Sequence, residues 1–438
     1  MIVENCPYGS DPRVMREAKT LSAVGHTISV IGPAEAGRPW HEKVDGIAVY
    51  RFKSWKSGGR SLGYLVEYVL SAAAILVILH VVLVGRGFDV IHVANPPDIL
   101  VPIVSIFRLL GKQIIYDQHD LSPELYATKF CNSTSSIYRF LLRMEVWSYR
   151  LSDYVITPND SYKKIAMARG GVRESKITVV RNGPDGRFTR CNDYDVELRD
   201  RSPNILAYAG RIGSQDGLEL LCDILSYLRN SLGREDFYCI IIGDGDDLQR
   251  IRLLTTRLHL EDKILFTGWI ADSRRFHRLL STADICLSPE PYNRYNNQST
   301  FLKIMDFMSA AKPIVAFDLD ETRFSAGEAA VYAPRDDIPG FARLLVKLMD
   351  DPVVRKKMGQ HGQRLVREKL SWEHSVPKLL GLYNMCRIKN TFRRQSIRAL
   401  KGLPAETAAA QHVLSAIEEH EHMPAERILA YQDVRGRR

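Results

Sequence analysis

What the chain has little of bounds it first. Its seven cysteines, Cys6, Cys131, Cys191, Cys222, Cys239, Cys286 and Cys386, form no CxxC pair and are odd in number. This argues against a disulfide framework or a thiolate metal site, and for reduced thiols in a cytoplasm-like compartment. The N-terminal MIVENCPYGSDPRV lacks the charged start, apolar core and small-residue cleavage site of a signal peptide, and reads as a strand entering a loop. Long apolar runs are scarce too. The strongest, Tyr68 to Val84, has 17 residues with His80 near its end. That is the lower limit for crossing a bilayer, so a buried or membrane-facing helix is expected rather than a span.

What is present is an ordinary globular balance. The chain has 438 residues, 45% hydrophobic and 25% charged, enough for two domains of typical size. Its net charge of +9 and pI near 9.1 admit nucleic acid, an anionic membrane surface or phosphorylated substrates as partners, and charge alone does not choose.

Strand-like runs alternate with helical lengths. TISVIG (27–32), DVIHVA (89–94), QIIYD (113–117), YVITP (154–158) and ITVVRNG (177–183) form one series. NILAYAG (204–210), YCIIIGDG (238–245), KILFTG (263–268), ADICLSP (283–289) and KPIVAFD (312–318) form a second. Apolar strands separated by helices need crossover connections, so each series predicts a parallel sheet wrapped by helices. The polar, unperiodic region 184–203 is the expected linker. The expected organisation is an N-terminal domain over 1–185, a linker over 186–203 and a C-terminal domain over 204–375. A helix over 376–390 would return to the first domain, and a basic, helical tail would occupy 391–438. The fold class is α/β, two doubly wound domains facing a cleft at the carboxyl ends of their strands.

The stretch QSTFLKIMDFMSAAKPIVAFD, Gln298 to Asp318, carries the most chemistry. Ser299 and Thr300 are cap residue types for a helix over 300–311, whose first amides and dipole suit an anion. Phe301, Ile304, Met305 and Met308 share an apolar stripe, while Lys303 and Asp306 share a polar edge. A ligand with a phosphate at the cap and a sugar further along would meet a cation and then a carboxylate. The plain alternative is a capped structural helix with a solvated ion pair.

In order along the chain, SDPRVMREAKTLSAVGH (10–26), VIHVANPPDIL (90–100), YDQHDLSPELY (116–126), VVRNGPD (179–185), YAGRIGSQDGLELL (208–221), FTGWI (266–270) and the stretch above resemble the nucleotide-sugar-dependent glycosyltransferases of the GT-B fold, family 4 type. The resemblance covers roughly residues 1–388. It implies a retaining transferase whose C-terminal domain holds a nucleoside-diphosphate sugar and whose N-terminal domain takes a glycan or polyprenyl-linked acceptor. Arg211 and the amides around Ser299, Thr300 and Phe301 would then face the diphosphate, with Lys303 assisting and Asp306 accepting the ribose hydroxyls. Gly210 and Gly213 would let backbone approach the donor, Gly243 and Gly245 would line the nucleotide pocket, and Gly268 and Gln298 would complete the donor site. His119 and Asp120, at the carboxyl end of a strand, would act on sugar or acceptor. Arg13, read as lying in the loop after the first strand, and Glu124 would serve the acceptor. The resemblance calls for no metal and no nucleic acid; Asp244 and Asp246 form a DxD of a kind common by chance.

The sequence departs from the family pattern. Gln298 and Asp306 stand where many members have a pair of glutamates, Asp216 stands where many have lysine, and Asn297 stands where closer relatives have aspartate. No carboxylate pair for double displacement is evident, which suits a front-face attack in which the leaving phosphate takes the acceptor's proton. Arg387 to Lys401 has six basic residues and no acidic one, a pattern suited to anionic lipid or to a solvated helix face. His412, His420 and His422 beyond it lack the spacing of a closed metal site. The expectation is a cytoplasmic enzyme of surface polysaccharide or glycoconjugate synthesis, peripheral on the inner face of a membrane. The rivals are a silent scaffold of the same fold and a sugar-nucleotide epimerase.

Overall fold

The computed structural model describes residues 1–54, 61–130, 132–184 and 193–401. The chain divides into two units. One comprises Met1–Ser122, Arg139–Val180 and the chain from Val376; the other comprises Pro123–Tyr138 and Arg181–Ser375.

In the first unit the strands are β1 (Ser29–Pro33), β2 (His41–Val44), β3 (Ile47–Phe52), β4 (Val90–Ala94), β5 (Gln113–Asp117), β6 (Tyr154–Thr157) and β7 (Ile177–Val179). They pair as β1-β3-β2 and as β4-β5-β6-β7. Ile2 bridges Ile31 and Val93, so the N-terminal segment stitches the two groups together. It is one bridging residue rather than a full strand. All pairings are parallel except β2 with β3. That hairpin was absent from the sequence reading. Its turn is Asp45-Gly46, both at positive φ (49° and 85°), the backbone that a two-residue hairpin demands.

Two helices of this unit matter below. Pro12–Ala23 starts where Asp11 caps the amides of Arg13 and Val14 at 3.0 and 2.9 Å, with Pro12 in the first turn. Ser61–Gly85 sends Ala72, Ile75, Leu79 and Val82 into the core under β1, β3 and β4.

The second unit is one six-stranded parallel sheet in the order β10-β9-β8-β11-β12-β13. Its strands are β8 (Asn204–Ala209), β9 (Phe237–Ile242), β10 (Ile264–Gly268), β11 (Ile285–Ser288), β12 (Ile314–Phe317) and β13 (Ala330–Ala333). Both faces are buried: Leu206 and Tyr208 enter one apolar cluster, Ile205 and Ala207 the other. The winding reverses between β8 and β11, where open α/β sheets place their ligands at the carboxyl ends.

Three expectations change. Residues 123–138, read as part of a continuous first domain, pack in the second unit, where Thr128 donates to Asn293 Oδ1 at 3.4 Å and Lys129 pairs with Asp246 at 3.4 Å. The division falls at Val180–Arg181, ahead of 185. The end of the expected linker is ordered: Val196–Arg199 is a helical turn capped by Asp195, and Arg199 pairs with Asp284. Residues 185–192 and 402–438, with the tail histidines, lie outside the described residues, as do the side chains of 390–401.

Candidate active site

Each unit gathers candidate site residues at the carboxyl end of a sheet. In the first unit β5 ends at Asp117, and the loop beyond it carries His119 and Asp120. Asn95, buried after β4, holds that loop. Its Oδ1 accepts from the amides of His119 and Asp120 at 2.6 and 3.1 Å, and its Nδ2 donates to the Asp120 carbonyl at 2.8 Å.

Asp117 is the hub. Arg13 Nε and Nη2 grip its two oxygens at 3.0 and 2.7 Å, and His119 Nε2 donates to its Oδ2 at 2.6 Å. Burial pushes the Asp117 carboxyl up, but Arg13 and His119 outweigh it and hold it well below the usual carboxylate range. Burial lowers His119, and the charge of Asp117 reverses that and leaves the imidazole above its ordinary value. Behind them Glu17 lies 3.4 Å from Arg13 Nε and 3.4 Å from His92 Nε2, and His92 Nδ1 is 2.8 Å from Tyr383 Oη. Burial, then the charge of Asp117, raises the Glu17 carboxyl to about 8. Glu17, His92 and Asp117 have metal-ligand spacing, yet the Arg13 guanidinium already sits among their oxygens and supplies positive charge there.

This corrects the reading of Arg13. It lies in the first turn of a helix, not in a loop. It is 3% exposed, and its third contact is the Val180 carbonyl at 2.8 Å, so the guanidinium is committed inward. Glu124 is likewise not a residue of the first unit. It is buried in the second, 3.6 Å from Arg294 Nε. A cavity of about 610 Å³ in the first unit, lined by Ser29, Val90, Lys112 and Tyr383 among others, opens at the amino ends of β1 and β4, the end of the sheet away from His119.

In the second unit the loops after β8, β9 and β10 are knitted by backbone bonds. Gly210 N donates to Ile242 O at 2.9 Å, Ile212 N to Asp244 O at 3.0 Å and Gly243 N to Gly268 O at 3.2 Å. Gly210 and Gly243 have φ of 150° and 149°, and a Cβ on Gly243 would strike the Gly210 carbonyl, so both positions require glycine. The expected glycines, Gly210, Gly213, Gly243, Gly245 and Gly268, thus gather at one end of the sheet. Arg211 stands exposed beside them, 3.4 Å from Asp246. Asp246 also faces Lys129, and Asp244 Oδ1 accepts from the Gly245 amide at 2.7 Å, so local partners engage both acids of the DxD.

Lys303 is the largest correction here. Rather than sharing a polar edge with Asp306, it is buried, paired with Glu290, and 2.9 Å from Tyr208 Oη, with Nζ 4.2 Å from the Tyr208 ring centroid. Burial opposes its charge, but Glu290 outweighs burial and raises the ammonium above its ordinary value. Asp216 completes the cluster. Its Oδ2 accepts from Gly213 N at 3.1 Å, and burial raises it to about 6 even though Lys303 pulls it down. Glu290 escaped the sequence reading. Its one local signal is an acid directly behind an apolar strand, in ICLSPE.

The helix itself starts later than expected, at Leu302–Ser309, with Phe301 in the cap position and no side-chain cap bond. Ser299 and Thr300 are not its caps. A short helix, Arg294–Gln298, precedes it, capped by Asn293, and the Ser299 hydroxyl donates back to Tyr295 O at 2.8 Å. Gln298 ends that short helix, and Asp306 is half-buried on the helix that follows. Asn297 donates to Asp320 at 2.7 Å, tying the turn to the neighbouring helix.

Comparison with known proteins agrees with this geometry. Residues 9–186 match the family Glycosyltransferase Family 4, and residues 203–351 match Glycosyl transferases group 1. A chitobiosyldiphosphodolichol beta-mannosyltransferase of Candida glabrata is 23% identical over 85% of this chain and 88% of its own. Sucrose-phosphate synthase from Thermosynechococcus elongatus superposes with a TM-score of 0.67 at 17% identity, over 88% of this chain and 98% of that one. Anabaena HepE, solved in complex with UDP-glucose, gives 0.64 at 17% identity, over 87% and 98%. Two Rossmann-like units, the motif order and both matches agree: the chain belongs to the family 4 glycosyltransferases of the GT-B fold.

Proposed function

We propose that the enzyme moves a sugar from a nucleoside diphosphate to a glycan or lipid-linked acceptor with retention, in surface polysaccharide or glycoconjugate assembly. The observation that carries this reading is the cluster of Lys303, Arg211 and the Gly210–Gly213 backbone at the switch point of the second sheet. A departing diphosphate there would meet the positive charges of Arg211 and Lys303, held in place by Asp246 and Glu290, while the Gly210, Ile212 and Gly213 amides are already bonded to Ile242, Asp244 and Asp216 and serve to shape the loop. Solved HepE carries UDP-glucose on the same fold, which supports a nucleotide-sugar donor. The Candida glabrata relative is named for a dolichol-linked acceptor, which supports a lipid-linked one.

The chemistry runs without a metal in this reading. The acceptor oxygen forms the new bond to the anomeric carbon as the bond to the phosphate oxygen breaks, and the leaving phosphate takes the acceptor's proton. His119 holds a sugar or acceptor hydroxyl, oriented by Asp117. The named product of the Candida glabrata relative is β-linked, so the anomer must be measured directly against the donor's. The test is calorimetry with UDP-, GDP- and ADP-sugars, then product NMR with the donor that binds, with and without a chelator. Binding of none of these donors would overturn the donor reading. An inverted product would overturn retention, and loss of turnover with chelator would overturn metal independence.

A further inference from the structure

Helix Ser61–Gly85 has two apolar faces, and the fold uses one of them. Ala72, Ile75, Leu79 and Val82 are buried in the first unit's core. On the opposite side Val77 is 64% exposed and Val84 88%, in a stripe with Val69, Leu70, Ala73 and Val81. The segment Glu67–Gly85 has a mean hydropathy of 2.5, and no Asp, Glu, Lys or Arg falls between Tyr68 and Gly85. The neighbouring helical stretch, Leu100–Leu110, lies alongside, its Phe107 ring 5.2 Å from that of His80. It adds Ile106, Leu109 and Leu110, with Leu109 85% exposed. A contiguous apolar surface of this kind marks an interaction site.

We propose that this face docks on an anionic membrane surface, with the helix lying in the plane of the bilayer rather than crossing it. Crossing would strip Ala72, Ile75, Leu79 and Val82 out of the sheet they cover. Lipid is the occupant because the face is apolar along its length, with His80 its one titratable side chain, and because exposed cations rim it. Arg86 follows the helix directly, and Arg108, exposed although it also reaches the Leu151 carbonyl at 3.1 Å and Asp153 at 3.8 Å, sits between Phe107 and Leu109. An apolar stripe combined with basic residues at the headgroup level is the two-part anchor that holds peripheral proteins on anionic lipid. The net charge of +9 acts in the same direction. This inference stands apart from the transferase reading, since a chain without activity would dock equally well.

The test uses the full chain and vesicles of phosphatidylcholine alone or with phosphatidylglycerol. The wild type should float with the anionic vesicles, be weakened by about 0.5 M salt, and be extracted by alkaline carbonate. Val77→Glu with Val81→Glu, at exposed positions, should leave thermal stability unchanged and cut the floated fraction about tenfold. Leu109→Asp, on the other helix, should do the same and serves if the double variant fails to fold. Tryptophan at Val81 should be quenched by brominated lipid. No flotation at low salt, unchanged flotation of the folded variants, or resistance to carbonate would each overturn the proposal. So would a wild-type dimer that Val77→Glu/Val81→Glu dissociates without any vesicle binding, which would give the face to a second copy of the chain.

Discussion

His119 Nε2 stands 2.6 Å from Asp117 Oδ2, the same oxygen that Arg13 Nε reaches at 3.0 Å. One carboxylate therefore both neutralises a buried guanidinium and orients the imidazole expected to act on substrate. The two jobs separate by mutation. Asp117→Asn takes the bidentate partner from the 3%-exposed Arg13 and leaves the more distant Glu17 beside it, a loss of about 3 kcal/mol by urea unfolding. The depressed carboxyl of Asp117 adds stability that is present above the ordinary carboxylate range and lost as pH falls below it. The variant should lack that acid-side step.

His119→Ala should behave differently. The ring retains 14% exposure, and its removal still leaves Arg13 on Asp117. Turnover should fall about a hundredfold while donor affinity holds. Because the imidazole is raised by Asp117, its stabilising contribution is full below the ordinary histidine value and vanishes as pH rises through the raised one. Melting curves of wild type and variant should therefore converge on the alkaline side. A difference that stays constant with pH would make His119 a packing residue.

Ten strands were legible in the sequence because valine and isoleucine runs buried on both faces leave no ambiguity about type. β13 was not: AVYA is short and alanine-rich. The β2–β3 hairpin was missed although Asp45-Gly46 announced it. In the site, loop glycines could be placed because they follow strands. The buried charges could not. Arg13, Glu17, His92 and Glu290 look like surface residues until tertiary packing brings opposite charges to them, and helical period alone does not say which polar side of 302–309 turns inward.

The burial of Lys303 changes what its removal should do. Lys303→Ala strands Glu290, itself 0% exposed, so stability should drop by about 3–5 kcal/mol before any ligand is added. Lys303→Met with Glu290→Gln removes both charges and should recover most of that loss. The double variant is then the proper reagent for binding. It should weaken a nucleoside diphosphate while leaving the bare nucleoside alone. If it binds the diphosphate normally, Lys303 is structural.

Asp216 supplies a pH dependence of opposite sign to that of Asp117. Its folded value of about 6 lies above the ordinary 3.8, so the native state holds a proton that the unfolded chain has lost. Stability should rise as pH falls from 6 toward 4, and Asp216→Asn should raise stability at pH 8 and flatten the slope. The same carboxylate faces the site of the proposed diphosphate. Donor affinity should tighten as pH drops through about 6 in the wild type and stay level in the variant, measured with a nucleotide-sugar, whose esterified diphosphate keeps its charge throughout.

Asp306 lies one turn beyond Lys303 on the helix Leu302–Ser309, about 4.5 Å further along its axis. In the proposed donor pose, a diphosphate near Lys303 would set its ribose about that far along the helix, and Asp306 binds it only if the half-buried carboxylate faces the same ligand as the inward-turned Lys303. Unlike Lys303, Asp306 is half-buried, so Asp306→Ala removes a charge that is itself only partly enclosed. A hydrogen bond to a charged acceptor contributes about 1.5–3 kcal/mol, so nucleotide affinity should fall roughly ten- to a hundredfold. The loss should be equal for nucleoside and nucleoside diphosphate, because ribose is common to both, whereas the Lys303→Met/Glu290→Gln protein should discriminate between them. Calorimetry of both ligands on both proteins separates the two contributions. A loss confined to the diphosphate in Asp306→Ala would move the ribose elsewhere, and unchanged affinity for both would leave the helix a structural one.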